Sequence, residues 1–359
     1  MKYLKSIDCL KGYATLMICG IHFNMYLNFK IFNYNSFLVV NIFFVISGFI
    51  CLSNYYNKLY NFSVIKIFLQ KRFLNLYPLH IFTLCLFLLI EISKLVALTY
   101  FDVRPNYEPF IKNDLISFFA NILLLQNIIG NPLSFNGVSW YLGAQFFCYF
   151  IFIFSIVFLK RFILILIFSF LIFYYPAFLN HYNSYWGIYS LLNSLFCFFI
   201  GCLFGYIFYE KEFLIKKKYN VLLLFIFLFN LLIIKYKHYQ ITLLFICGFF
   251  LYLCDFLEKK TVFSKLIFNN FIKFIGKISY SIYMLHSLIL WVVINSMKLF
   301  LNIPFQDTKY SIIENDRQYS KILIGIEETY LLLFFLYFLT IIISYYSYKF
   351  IETKFKKKI

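Results

Sequence analysis

The chain has 359 residues, of which 63% are hydrophobic and only 13% are charged. A soluble domain is about half apolar and a quarter charged, so this composition excludes a soluble enzyme, a secreted disulfide-bonded domain and a disordered scaffold. The apolar residues suffice for roughly ten transmembrane helices at about 20 residues each. The net charge of +18 would suit a nucleic-acid partner unless its distribution along the chain has another cause.

Apolar runs between polar and charged clusters predict ten membrane-spanning helices. Their approximate ranges are 11–30, 36–54, 77–98, 139–159, 162–178, 187–209, 219–234, 240–257, 279–301 and 329–351. A further apolar piece at 115–129 is short for a span and ends in Gly130-Asn131-Pro132, which predicts an interfacial or re-entrant segment. The predicted fold class is all-α: one polytopic membrane domain over residues 1–359, with no soluble extra domain.

The basic residues test this topology, because cytoplasmic loops of membrane proteins carry an excess of Lys and Arg. With a cytoplasmic N-terminus, the inside segments hold 22 basic residues and the outside loops hold nine, while Lys11 and Lys94 lie within spans. Ten spans then place both termini in the cytoplasm. The positive charge follows from topology and needs no nucleic-acid partner.

Cysteines and short motifs indicate no cofactor. Nearly all of the nine cysteines lie in apolar runs, and no CxxC pair occurs. Neither a disulfide framework nor a metal site is therefore predicted. Phosphate-loop, dinucleotide-binding and metalloprotease signatures are also missing from the sequence.

The first span carries the densest group of ionisable side chains, namely Asp8, Lys11 and His22. Eleven residues of helix advance about 1,100°, so Lys11 and His22 share one face, with His22 about 16 Å deeper in the membrane. Asp8 precedes Lys11 by three residues, within reach of an ion pair. Ionisable groups inside a membrane are costly and often functional. The alternative is that Lys11 extends to the interface and His22 is an ordinary packed core residue.

Residues 6–14, followed by His22, resemble the first helix of the acyltransferase 3 family of integral membrane acyltransferases. That helix carries a basic residue, ten intervening residues and a histidine, and the family has Arg where this chain has Lys11. Further segments resemble the family in its own order along the chain: 41–50, 71–78, 140–149, 273–286 and 345–352. Two further positions differ from the family pattern, because Asn75 replaces an Arg and Gln145 replaces a Glu that many members carry.

The resemblance implies an inner-membrane O-acyltransferase that uses acetyl-CoA or another short acyl-CoA as co-substrate, with no bound cofactor. The implied acceptor is a hydroxyl of a cell-envelope glycan, such as a polysaccharide, lipopolysaccharide or lipid-linked sugar, and membrane lipid is a further partner. In this interpretation His22 acts as general base or transient acyl carrier. Lys11 orients or neutralises the donor, and Asp8 fixes Lys11.

Arg72 and Lys71 lie at the predicted cytoplasmic interface, where the phosphates of an acyl-CoA would arrive, and a guanidinium suits phosphate. An ordinary positive-inside cluster or a lipid headgroup contact is an equal alternative. The matched segments supply further substrate-binding or structural candidates: Ser47, Trp140, Ser279, Tyr283, His286 and Glu352.

Ser279, Tyr283 and His286 fall on one helical face, for which interhelical hydrogen bonding is the favoured interpretation. The remaining histidines lie near span ends and are predicted to be interfacial: His80, His181 and His238. The competing functional class is a transporter or flippase of an acylated or glycosylated lipid, because a membrane-buried histidine beside a lysine also suits a proton-coupled carrier.

Overall fold

The structure is a computed structural model. It describes residues 5–27, 36–56, 58, 61–101, 108–159, 163–180, 187–209, 247–248, 269–300, 305–309, 318–322 and 324–356. The predicted span 219–234 and nearly all of 240–257 lie outside the described residues, as do His181 and His238.

The described chain is helical apart from one hairpin. The helices are α1 Lys5–Asn24, α2 Ser36–Tyr55, α3 Phe62–Phe101, α4 Leu115–Ile122, α5 Trp140–Leu159, α6 Ile163–Asn180, α7 Ile188–Tyr209, α8 Asn270–Lys277, α9 Ser279–Phe300, α10 Ile326–Ser347 and α11 Thr353–Lys356. A 3-10 turn, Gly137–Ser139, precedes α5, and a π-helical segment, Tyr348–Glu352, joins α10 to α11. Strands β1 Phe305–Lys309 and β2 Gln318–Ile322 pair antiparallel, with Phe305 opposite Ile322.

The predicted spans within the described chain coincide with helices. Five of these helical stretches are long and apolar enough to cross a membrane, namely Phe62–Phe101, Gly137–Leu159, Ile188–Phe208, Ser279–Lys298 and Ile326–Phe355. Large apolar side chains such as Phe154, Phe173 and Phe334 point outward and are more than half exposed. Such a surface fits lipid, since hydrocarbon replaces water around a membrane helix.

Glycines allow two pairs of helices to approach closely. A Cβ at Gly201 of α7 would overlap the Val45 carbonyl oxygen of α2, and one at Gly48 would overlap the Phe198 carbonyl oxygen. The α1–α8 crossing is equally tight, because a Cβ at Gly276 would overlap the Asp8 carbonyl oxygen. Small residues let helix backbones pack in contact within a membrane.

The described segment between α3 and α5 contains no helix long enough to cross a membrane. Helix α4 has only 8 residues, and its N-cap is the Asp114 side chain, which accepts a hydrogen bond from the Ser117 N–H at 2.7 Å. Hydrogen bonds from Ser117 lower the pKa of the Asp114 carboxyl. The turns after α4 bury Gln126 and Asn127, whose amides donate to the Ser139 and Trp140 carbonyls. This outcome matches the prediction of a non-spanning piece.

Two apolar cores meet along α9. The first is built around α2, α5 and α7 and includes Tyr283 and Met284. The second joins α1, α8, α9 and α10 and includes Phe23 and Ile282. Helix α9 therefore presents successive residues to both cores, which places its first turns between them.

Candidate active site

His22 of α1 and His286 of α9 form a direct contact across the two helices. The His22 Nδ1 and His286 Nε2 atoms are 2.6 Å apart, and the two ring planes differ by 12°. Although the ring centroids are 4.9 Å apart, the short distance between the nitrogens is that of an in-plane hydrogen bond, with no face-to-face stacking. The pair joins residues that are 264 positions apart in sequence.

The two imidazoles differ in their surroundings. His286 is fully buried, and its Nδ1 lies 3.1 Å from the Ile282 carbonyl oxygen. His22 is only partly buried. Its Nε2 has no hydrogen-bond partner among the described residues and is not one of their unpaired buried nitrogens. His22 is therefore the member of the pair that a reactant can approach.

A loop residue missed by the sequence prediction holds α9 beside the histidine pair. The Asn136 amide nitrogen donates to the Met284 carbonyl at 3.0 Å, and its oxygen accepts from the Ser287 hydroxyl at 2.9 Å. Tyr283 donates through its hydroxyl to the Val138 carbonyl at 2.9 Å, one of the interhelical bonds expected for this residue. The only sequence signal at Asn136 is its place beside Gly137, immediately before the Trp-led helix.

The ion pair predicted at the start of α1 is present. Lys11 Nζ lies 3.3 Å from Asp8 Oδ1. Helical rise places Lys11 about 16 Å along α1 from His22, and no direct contact joins them among the described residues. The pair and the histidine therefore mark two levels of the same helix face. Asp8 lies where α1 passes closest to Gly276 of α8.

Arg72 and Lys71 do not form one cluster. The Arg72 guanidinium carbon lies 5.3 Å from the centre of the Phe68 ring and 5.2 Å from that of Tyr149. Its Nη2 reaches Cys51 Sγ at 3.9 Å, whereas Lys71 is exposed. Adjacent residues on a helix point about 100° apart, so the predicted shared phosphate site is divided between the inside and the outside of the bundle.

Two other predicted residues are Ser47, which lies beside a neighbour of Arg72, and Trp140. The Ser47 hydroxyl is 3.1 Å from the Tyr149 hydroxyl. Trp140 is buried and packs on Phe44, with ring centroids 6.3 Å apart. Neither side chain contacts the histidine pair among the described residues.

Ser279 and Glu352 are buried. The Glu352 carboxylate accepts a hydrogen bond from the Ser281 hydroxyl at 2.5 Å, which ties the chain after α10 to α9. Ser279 begins α9. Glu352 therefore serves as a buried structural acceptor.

His80, which was predicted to lie near the membrane interface, is buried within the protein. It lies in the middle of α3, is only 1% exposed, and its Nε2 is 2.9 Å from the Asn121 carbonyl oxygen. Helix α3 begins at Phe62, well before the apolar run. A residue at the edge of that run is therefore deep within the helix.

Two of the three departures from the family pattern, Asn75 and Gln145, leave unpaired buried atoms. Asn75 Oδ1 and Gln145 Nε2 have no hydrogen-bond partner among the described residues, while Gln145 Oε1 accepts from the Tyr141 hydroxyl at 2.9 Å. No group of three or more metal-ligating side chains occurs in the described part of the chain.

Comparison with protein-family models matches this chain to an acyltransferase domain. The family model of the acyltransferase 3 domain matches residues 4–349, nearly the whole chain. Searches of curated proteins and of solved structures found no match.

Proposed function

The chain belongs to the acyltransferase 3 family and is a membrane acyltransferase, and from this premise we propose the reaction and the roles of its residues. The enzyme transfers an acetyl or similar short acyl group from acyl-CoA to a hydroxyl of a cell-envelope glycan. It acts in the inner membrane, with the donor arriving from the cytoplasm and the acceptor presented from the opposite face.

The observation that carries this proposal is the environment of His22. Its Nδ1 is engaged by His286, and its Nε2 is open on a partly buried ring. An imidazole held in this way combines a fixed orientation with one available lone pair. A general base needs that combination to take a proton from a positioned hydroxyl.

His22 Nε2 takes the proton of the acceptor hydroxyl as the oxygen attacks the thioester carbonyl. The carbon–oxygen bond forms, the carbon–sulfur bond breaks, and His22 returns the proton to the leaving thiolate. No metal or redox group enters this step.

The cytoplasmic ends of α1 and α3 supply positive charge toward the donor. Lys11, held by Asp8, lies on the His22 face nearer the cytoplasm. Arg72 offers a forked guanidinium, which suits phosphate. Among the described residues it has no carboxylate partner, so its charge remains available to an anionic ligand.

The proposal is tested by replacing His22 in two ways. His22→Ala removes the ring, and His22→Asn keeps an N–H donor near the position of Nδ1 but has no basic nitrogen. We expect both variants to lower acyl transfer about 10²–10⁴-fold, the usual contribution of a general base. The readouts are the acetyl content of the envelope glycan by NMR and CoA release by purified protein with a glycan acceptor.

Tyr13→Phe on the exposed face of α1 is the matched control. Membrane levels of all variants are compared by immunoblot. Unchanged acetylation by His22→Asn at normal protein level would refute the base assignment. Lipid translocation by the purified protein without CoA release would instead support the transporter class.

A covalent route through His22 would use the same Nε2 lone pair. Incubation with labelled acyl-CoA in the absence of acceptor distinguishes the two routes. We expect no label on the protein if His22 acts as a base. Label that is lost in His22→Asn would establish the acyl carrier.

A further inference from the structure

The contacts around the histidine pair determine which nitrogens carry protons. A carbonyl oxygen only accepts hydrogen bonds, so the 3.1 Å contact with Ile282 requires a proton on His286 Nδ1. In a neutral imidazole the other nitrogen is then a bare acceptor. His286 Nε2 therefore accepts from His22 Nδ1, 2.6 Å away.

This assignment continues to the reactive atom. With its proton on Nδ1, a neutral His22 has a lone pair on Nε2. Hydrogen bonds thus run in one direction: His22 donates to His286, His286 donates to the Ile282 carbonyl, and the open Nε2 of His22 lies at the far end. No carboxylate lies within hydrogen-bond distance of either ring among the described residues. The Ile282 carbonyl of α9 is therefore the group that sets the direction of these hydrogen bonds.

The two rings differ in burial, and this difference assigns them different roles. His286 is 0% exposed, and both of its nitrogens are used within the protein. It therefore has no atom left for a substrate, whereas His22 has one. His286 is further fixed because α9 is pinned on either side of it by the hydrogen bonds of Asn136 to Met284 and Ser287.

We propose that His286 is a positioning residue that holds His22 in the Nδ1–H tautomer and so directs the basic Nε2 lone pair toward the acceptor hydroxyl. This inference depends on the proposed base role of His22. During transfer the His22 imidazolium donates from Nδ1 to His286 Nε2, which stabilises the charge until the proton passes to the thiolate.

The tautomer is measured directly, without reference to activity. The chain has only five histidines, so ¹⁵N-histidine labelling of the purified protein in lipid gives few ring signals. The His22 signals are those that disappear in His22→Asn. We expect them to show a protonated Nδ1 and a bare Nε2, and a protonated Nε2 would overturn the proposal.

Two substitutions of His286 then separate positioning from packing. In His286→Gln the amide oxygen lies near the place of Nε2 and still accepts from His22, so the tautomer and kcat are retained within about tenfold. His286→Leu fills similar space without an acceptor. In this variant His22 Nε2 becomes protonated, and kcat falls about 10²–10³-fold, within the range of general-base effects, while KM for acyl-CoA changes less than about twofold.

A residue with only a structural role would lower the amount of folded enzyme and leave kcat per folded molecule unchanged, and that result overturns the proposal. His286→Asn, whose shorter amide cannot reach His22, replaces the leucine variant if leucine prevents folding, and the same losses are expected. If His22→Asn stays active although the tautomer is as described, the base role fails and the catalytic role of His286 fails with it. A correct tautomer in the wild type together with an unchanged one in His286→Leu refutes the positioning role alone.

Discussion

Arg72 differs from its neighbour Lys71 in the medium that surrounds its charge. The guanidinium of Arg72 packs against two aromatic rings, whereas Lys71 is exposed. A charge that is removed from water interacts more strongly with a ligand, and the forked guanidinium binds phosphate at two points. Of the two residues first assigned to the donor, only Arg72 has the surroundings of a specific binding group.

We therefore expect Arg72→Lys to raise KM for acyl-CoA about 10–100-fold, the loss expected when a charged hydrogen-bonding group worth roughly 1.5–3 kcal/mol is weakened. The positive charge is kept, but the fork and the ring contacts are lost. Lys71→Ala is the matched control and should change KM less than about twofold. Equal effects of the two substitutions on KM, measured by CoA release, would contradict this assignment.

Spacing along the sequence predicts contacts within one helix but not contacts between helices. The Asp8–Lys11 pair was predicted because both residues lie on one helix, and it is confirmed. The partner of His22 was not predicted, since helical periodicity relates residues within one helix and His286 belongs to another. Asn136 was missed for the same reason: its hydrogen bonds reach α9 from a turn that carries no periodic signal.

At the scale of elements, the packing of α2 against α7 depends on the absence of side chains. Gly201 and Gly205 form a GxxxG pattern on α7, and a Cβ at either position would overlap backbone atoms of α2. Because the obstacle is backbone, a rotamer change cannot relieve it. The two helices would have to move apart along their contact.

Gly201→Ala is therefore expected to destabilise the protein by about 1–3 kcal/mol, as overpacking of a close contact does. Gly137→Ala is the control, because a Cβ there meets only a Leu133 methyl carbon at 4.0 Å. Thermal unfolding of the two variants in detergent measures the difference. A Gly201→Ala variant as stable as Gly137→Ala would show that α2 and α7 are not held in this contact.

Helix existence was predicted well from the sequence, and helix boundaries were not. Apolar runs located the cores of α5, α7, α9 and α10. They placed the start of α3 at residue 77, because the residues from Phe62 onward mix basic and apolar side chains. A helix that leaves the apolar layer loses the hydropathy signal while it keeps its backbone hydrogen bonds. The hairpin of β1 and β2 was missed because it lies in a polar loop without an alternating apolar pattern.

For the whole molecule, the positive-inside bias predicts ten spans and cytoplasmic termini. A fluorescent reporter that folds only in the cytoplasm should be active when fused after residue 359. The same reporter inserted between β1 and β2 should be inactive, since this hairpin belongs to a predicted outer loop. Activity at the hairpin would contradict the predicted orientation. The donor would then have to reach His22 from the opposite side of the protein.

The length of α3 has a consequence for the outline of the molecule. At about 1.5 Å per residue, its 40 residues extend roughly 60 Å, whereas a bilayer with its headgroups is about 40–45 Å thick. Membrane helices tilt by at most about 40°, and even at that tilt α3 extends farther than the bilayer is thick. Part of α3 must then project beyond the lipid on one side, and on the predicted topology this is its amino-terminal end. Even low-resolution density from a nanodisc should show this projection as an asymmetric landmark that distinguishes one face of the protein from the other.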